Sequence, residues 1–237
     1  RQNEHAVQTL LEAVLKTYSV DPRKVIVTGF SMGGSGTWHW ANKFPERFSA
    51  SMQNNRITIV FFGTSDFAIP ALCALIEHGY TIAAVITNPD EPAGRGQNSV
   101  PPPVKTAAGQ KNIPIFQPEK LDTETWKSKI PAADMYVVAA YGKMIPKSIL
   151  DIPQFGTLNI HPSLLPRWRG PSPIQYAILN GDETVGVSIM LIDEKMDHGP
   201  ILAQEEMKAQ KASYGELYDA LAKRGADLLI KTVPEWI

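Results

Sequence analysis

Apolar positions follow two periods along this chain, and the period switches repeatedly between them. Residues 57–62, after Arg56, predict a clean first strand. A helix is expected from Asp66, a residue type favoured at N-caps, to His78, with Gly79 as its stop. A strand over 81–87 follows, then a loop over 88–103 that holds five prolines. The pattern continues with helix 104–111, strand 114–116, helix 123–130, strand 135–140, helix 146–150 and strand 157–161. Two later strands are expected over 185–192 and 201–206. Ser213-Tyr214-Gly215-Glu216 has capping-box spacing. The stripe of Tyr214, Leu217, Tyr218, Leu221, Leu228 and Leu229 behind it predicts an amphipathic helix. Strands alternating with helices imply an α/β fold with a doubly wound, largely parallel sheet.

The first 51 residues read differently. Ala6, Val7, Leu10, Leu11, Val14 and Leu15 make a helical stripe, Val25-Ile26-Val27 a buried-type strand, and a second helix runs to about Phe44-Pro45. The pattern then resets at Met52-Gln53-Asn54-Asn55, so a boundary is placed near Met52, with a helix–strand–helix fragment before it. Charge divides at the same point. Residues 1–51 carry six Lys/Arg and four Asp/Glu, whereas residues 52–237 carry seventeen and twenty. Bulk charge of that sign argues against autonomous nucleic-acid binding by the larger part. A single cysteine, Cys73, excludes an internal disulfide and makes a reducing cytoplasm the default. No apolar run approaches membrane-span length, and no Cys/His spacing suggests a metal site.

Candidate chemistry lies at the end of strand 157–161. Residues two apart share a strand face, so Asn159 and His161 point together and Ile160 points away. Such a position, at the carboxyl end of an α/β strand, is where ligands commonly bind. An amide NH2 and an imidazole can both donate to an oxygen that gains negative charge, and imidazole can also move a proton near neutral pH. Asp197, in a turn between two predicted strands, can orient His161. Spacing by itself leaves open whether the pair is catalytic or simply a set of structural hydrogen-bonders.

The stretch Asn159-Ile160-His161-Pro162-Ser163-Leu164-Leu165-Pro166-Arg167-Trp168-Arg169-Gly170 closely resembles the signature of folate-dependent formyltransferases. Its Arg-Trp-Arg-Gly continuation is most similar to the methionyl-tRNA formyltransferase type. So are Ile59 to Phe67, Asn88 to Gly96 and Gln117 to Leu121, and the resemblance covers about 56–237. It implies a Rossmann-like formyltransferase fold, with Asn159, His161 and Asp197 as the catalytic residues. It also implies folate contacts from Ser163, Leu164, Leu165 and Pro166, and, by a looser match, from Met144 and Ile145. The implied cosubstrate is 10-formyltetrahydrofolate, with no metal, and the implied acceptor is initiator methionyl-tRNA. Arg95, Arg167 and Arg169 are then the cations expected near the tRNA. An acceptor that is a sugar amine or a purine precursor is the rival within the enzyme class. A folate-binding remnant without turnover is the rival outside it.

Two departures from the family pattern bear on the RNA. The loop after Gly96 continues Gln97-Asn98-Ser99 where the family is usually lysine-rich. The chain is also expected to lack the family's further barrel-like tRNA-binding domain, and so to hold tRNA weakly. Gly29-x-Ser31-x-Gly33, with its strand before and helix after, resembles the nucleophile elbow of α/β-hydrolases. The usable histidines belong to other patterns, so the expectation is a hydrolase fragment with Ser31 unactivated; serine hydrolysis is the weakest rival. Gly63-Thr64-Ser65 lacks the further glycines of a dinucleotide fingerprint.

Overall fold

A computed structural model describes residues 57–93, 98–209 and 212–237. The chain divides into two units at Arg56/Ile57, and all described residues belong to the second. The helix–strand–helix expected before Met52, and the Met52 boundary itself, lie outside the described residues.

A seven-stranded sheet organises the second unit. Its strands are β1 (Thr58–Gly63), β2 (Thr81–Ile86), β5 (Ile115–Phe116), β6 (Met135–Ala139), β7 (Thr157–His161), β8 (Thr184–Leu191) and β9 (Ile201–Lys208), in spatial order β5-β2-β1-β6-β7-β8-β9. From β5 to β7 every pairing is parallel, and β8 and β9 add antiparallel pairs at one edge. The helices are α1 (Ile69–Glu77), α2 (Pro103–Gln110), α3 (Thr123–Trp126), α4 (Lys147–Leu150), α5 (Pro173–Leu179) and α6 (Tyr214–Trp236). The order in which strands are added reverses between β1 and β6, which run parallel, and a cavity lies beyond their carboxyl ends.

Both sheet faces are covered, and the strand phases show why. Ile59 and Phe61 enter one core with Met135, Val137, Leu158 and Ile160, under α1 and α6. Val60 and Phe62 enter a second core with Tyr136, Val138, Ile149 and Leu150. Strands buried on both sides are apolar along nearly their whole length, as Ile59–Phe62 of β1 and Met135–Ala139 of β6 are, whereas β7 alternates apolar with polar residues. α6 lies close against the first face. A Cβ on Gly225 would stand 2.6 Å from Cγ2 of Ile160 and 3.2 Å from Cγ2 of Val187, closer than packed atoms tolerate.

Several expected elements change in detail. Asp66 opens a 3-10 turn (Asp66–Ala68) rather than capping α1, and its carboxylate accepts from the Phe67 amide at 3.1 Å and from the Tyr218 hydroxyl at 2.5 Å. Pro70, in the first turn of α1, fits the start of a helix because its missing N–H would be unpaired there. The expected helix over 123–130 is only Thr123–Trp126, capped by Asp122 accepting from the Thr125 amide at 2.8 Å. The proline-rich stretch read as loop contains a small antiparallel pair, β3 (Glu91–Ala93) with β4 (Asn98–Val100). α5 falls inside a stretch read as motif alone, and Pro173 starts it. The capping box of α6 forms as its spacing predicts: the Glu216 amide donates to Ser213 Oγ at 3.4 Å, and the Ser213 amide donates to the Glu216 carboxylate at 2.8 Å.

Replacing Gly225 by leucine is expected to lower stability by roughly 1–3 kcal/mol, because α6 must lift off β7 and β8. Chemical denaturation of the intact chain checks this; an unchanged midpoint would show that the contact is loose.

Candidate active site

Strand β7 carries the site. Asn159 Nδ2 lies 3.5 Å, and His161 Nδ1 3.6 Å, from the same carboxylate oxygen of Asp197. The two side chains therefore share a face, while Ile160 packs into the opposite core. Asp197 arrives on the loop between β8 and β9, where it has a φ of +47°. Its second oxygen accepts from the Gly170 amide at 2.8 Å. Gly199 lets that loop close, since a Cβ there would meet the Leu191 carbonyl oxygen at 2.0 Å.

His161 is buried, with 4% of its surface exposed, so each ring nitrogen needs a partner. Nε2 lies 2.9 Å from the carbonyl oxygen of Trp168. A carbonyl only accepts, so Nε2 carries a proton and Nδ1 is the nitrogen turned toward Asp197. A second proton on His161 would sit on Nδ1 and point at that carboxylate. Asn159, His161 and Asp197 can thus present two donors and one acceptor to a single reacting centre.

These groups open into a cavity of about 860 Å3. One wall is apolar, built by Val138, Ile145, Leu150 and Ile192. Another is aromatic, built by Phe67, Tyr214 and Tyr218. Phe67 meets Tyr218 edge-on at 5.3 Å between ring centroids. The Tyr218 hydroxyl binds the Asp66 carboxylate and accepts from the Phe67 amide at 3.1 Å, which joins α6 to the end of β1. Burial, and secondly that carboxylate, push the Tyr218 phenol up from its ordinary value.

Residues 55–233 match the model of the family described as formyl transferase. The chain belongs to that family. It is 49% identical over 179 residues to the methionyl-tRNA formyltransferase of Halorhodospira halophila, covering 75% of this chain and 58% of that protein. It is 48% identical over 182 residues to the methionyl-tRNA formyltransferase of Bacillus licheniformis, covering 76% and 58%. The chain therefore spans 58% of the length of these curated relatives. Among solved structures, phosphoribosylglycinamide formyltransferase from Anaplasma phagocytophilum matches with a TM-score of 0.63 at 19% identity, over 76% of this chain and 86% of that one. The enzyme of the same name from Bacillus halodurans matches with a TM-score of 0.57 at 22% identity, over 73% and 95%. These two show the shared formyltransferase fold. Residues 3–59 match an esterase family model.

Set against this formyltransferase frame, the residues singled out in the sequence separate into groups. Asn159, His161, Asp197, Met144 and Ile145 all line the large cavity. Ser163, Leu164, Leu165 and Pro166 do not, and their polar groups serve the loop itself. Ser163 Oγ donates to the Arg167 carbonyl at 2.6 Å. The Leu165 amide donates to Ser188 Oγ at 3.1 Å, and Ser188 Oγ donates to the Ser163 carbonyl at 2.6 Å. Leu164 occupies the space over Gly186 that a Cβ would need. Arg167 is committed to Asp182 through Nε at 3.0 Å and Nη2 at 2.6 Å. Arg169 is exposed and has no ion pair among the described residues. Arg95 and Ser31 lie outside the described residues. Sequence reasoning missed the Trp168 carbonyl and the Gly170 amide, main-chain groups that no residue type signals.

Tyr136 and Tyr141 are buried, Tyr141 in the cavity wall, and neither hydroxyl has a protein partner among the described residues. Burial raises both phenols to about 12 from the ordinary 10.0. The unfolded chain ionises first as pH rises, so the stabilisation is full below pH 10 and is lost between pH 10 and 12. Tyr136→Phe is expected to flatten the fall in stability across that window in denaturation curves. At neutral pH the same change is expected to be neutral or stabilising by up to about 1 kcal/mol, because it removes an unpaired buried hydroxyl.

Proposed function

We propose that residues 52–237 form the catalytic domain of a methionyl-tRNA formyltransferase, moving a formyl group from 10-formyltetrahydrofolate to the amino group of methionyl-initiator-tRNA. The observation that carries the reading is the meeting of Asn159 and His161 on one Asp197 carboxylate inside the cavity. Identities of 44–49% to methionyl-tRNA formyltransferases favour that acceptor over a purine precursor, since the glycinamide ribonucleotide transformylases among the solved structures share only 17–23%. The family matches over 3–59 and 55–233, which overlap only at 55–59, support reading residues 1–51 as a hydrolase-like fragment ahead of that domain. A single cysteine and the substrate class fit work in the cytoplasm.

The cavity suits a folate. Its volume lies within the range of about 300–1,000 Å3 usual for small-molecule sites. Met144 and Ile145 offer an apolar edge to a flat ring, next to the main chain of Ala140 to Lys143. The folate supplies a formyl carbon on its nitrogen N10. The methionyl amine forms the new C–N bond at that carbon, and the bond to N10 breaks. Asn159 Nδ2 and His161 Nδ1, when protonated, donate to the formyl oxygen while it carries negative charge. Asp197 takes the proton that the attacking amine must lose and passes it toward the departing nitrogen. The exposed guanidinium of Arg169 is available to a phosphate of the acceptor RNA.

An assay with 10-formyltetrahydrofolate and charged initiator tRNA tests the reading, with a glycinamide ribonucleotide and an amino sugar as competing acceptors. Formylation of either small amine in preference to the tRNA would overturn the choice of acceptor. Asn159→Ala is expected to reduce kcat about 10²–10³-fold, the scale for loss of one oxyanion donor. His161→Ala and Asp197→Ala are expected to lose at least as much. Near-normal transfer by either variant is incompatible with the roles assigned.

A further inference from the structure

Asp182 lies outside the large cavity, on the turn between α5 and β8. Its side chain is only 9% exposed, yet it gathers four donors. Arg167 reaches it through Nε and Nη2, Asn180 Nδ2 at 2.6 Å, and the Trp168 indole N–H at 2.6 Å. The Arg167 guanidinium beside it, together with those bonds, holds the carboxyl well below the usual carboxylate range. The indole is also trapped by its faces. The Arg167 guanidinium sits 4.5 Å from its ring, and Tyr176 stacks on it at 5.6 Å with the planes 12° apart.

Pinning the indole pins the peptide. Trp168 holds a φ of +57°, a conformation that costs energy for any residue but glycine. The preceding carbonyl, on Arg167, is fixed by Ser163 Oγ. With both ends held, the Trp168 carbonyl points at His161 Nε2. The next amide but one, on Gly170, is the donor that holds Asp197.

We propose that Asp182 is a positioning residue for the formyl-transfer reaction: by clamping Arg167 and the Trp168 indole it aims the Trp168 carbonyl at His161 Nε2, which keeps Nδ1 as the nitrogen that works in the cavity. The inference rests on the function proposed above for the consequence to catalysis, but not for the clamp. A buried imidazole without a fixed acceptor exchanges between two neutral tautomers; with its proton held on Nε2, Nδ1 faces the cavity as a lone pair that a second proton turns into an acidic donor, whereas the other tautomer leaves Nδ1 a weakly acidic N–H with no basic site there. Asp182 therefore acts on the chemistry through main-chain geometry, without touching substrate.

The test uses the intact chain labelled with 15N-histidine, with the His161 resonances assigned by their loss in His161→Ala. In the unaltered chain neutral His161 is expected to be protonated on Nε2 alone. In Asp182→Ala, and in Trp168→Phe, which keeps a smaller aromatic ring but removes the indole N–H, His161 is expected to populate both tautomers. Transfer kcat is expected to fall roughly tenfold, as when a partner orienting a reactive imidazole is removed, with KM for the folate changed by no more than about twofold. Asp182→Asn keeps an oxygen for the indole N–H and is expected to restore much of both readouts. If Asp182→Ala does not fold, Trp168→Phe decides. An unchanged His161 tautomer in the folded variants overturns the proposal, whatever happens to kcat. Were the function reading itself wrong, the unaltered chain would fail to formylate the tRNA, or His161→Ala would leave transfer intact, while the tautomer shift still appeared.

Discussion

A buried imidazole sets the terms for this end of the molecule. His161 sits at the last position of β7 with almost no access to water, so its polar atoms must be answered by protein. Nε2 is met by a main-chain carbonyl seven residues on, and that single bond dictates a tight return of the chain. The return requires left-handed backbone at Trp168 and Gly170. It brings the Gly170 amide to Asp197, which in turn faces His161 and Asn159. The loop from Pro162 to Gly170 is thus shaped by what the histidine needs.

The sheet supplies the rigid base for this arrangement. β7 pairs with β6 in parallel and with β8 in antiparallel register, Asn159 opposite Val138 on one side and Met190 on the other. Its two faces have separate duties. One is sealed by α6, whose Gly225 admits Ile160. The other is left to the polar pair and the cavity. Such strands are hard to move, because shifting one by a residue exchanges its faces. The Asp197 loop closes over the polar face from the next hairpin, helped by the bare backbone at Gly199.

Much of this was legible in the amino-acid order, and the rest was hidden for physical reasons. Strand phase is a side-chain property, so the common face of Asn159 and His161, and the opposite aim of Ile160, could be read directly. The capping box of α6 was equally visible, because its bonds are between named residue types at fixed spacing. The roles of the Trp168 carbonyl and Gly170 amide were not, since every residue has such groups. The short helix α5 carries too few turns for a period to register, and its prolines read as loop. Ser163 to Pro166 stand in a stretch that resemblance ties to folate, but here their polar atoms are spent on β8 and on Arg167. Long-range partners such as Asp182 for Trp168 depend on a turn whose geometry no local pattern describes.

The short path from Trp168 to Gly170 has one more implication. Because its carbonyl fixes His161, the donor of the proposed reaction, and its amide fixes Asp197, the base, these two residues are not independent parts. A displacement of two peptide units moves both at once, so their energetic contributions are inseparable. On the proposed mechanism, donor and base are two terminals of one short stretch of backbone, and any adaptation of the reaction must retune them as a pair.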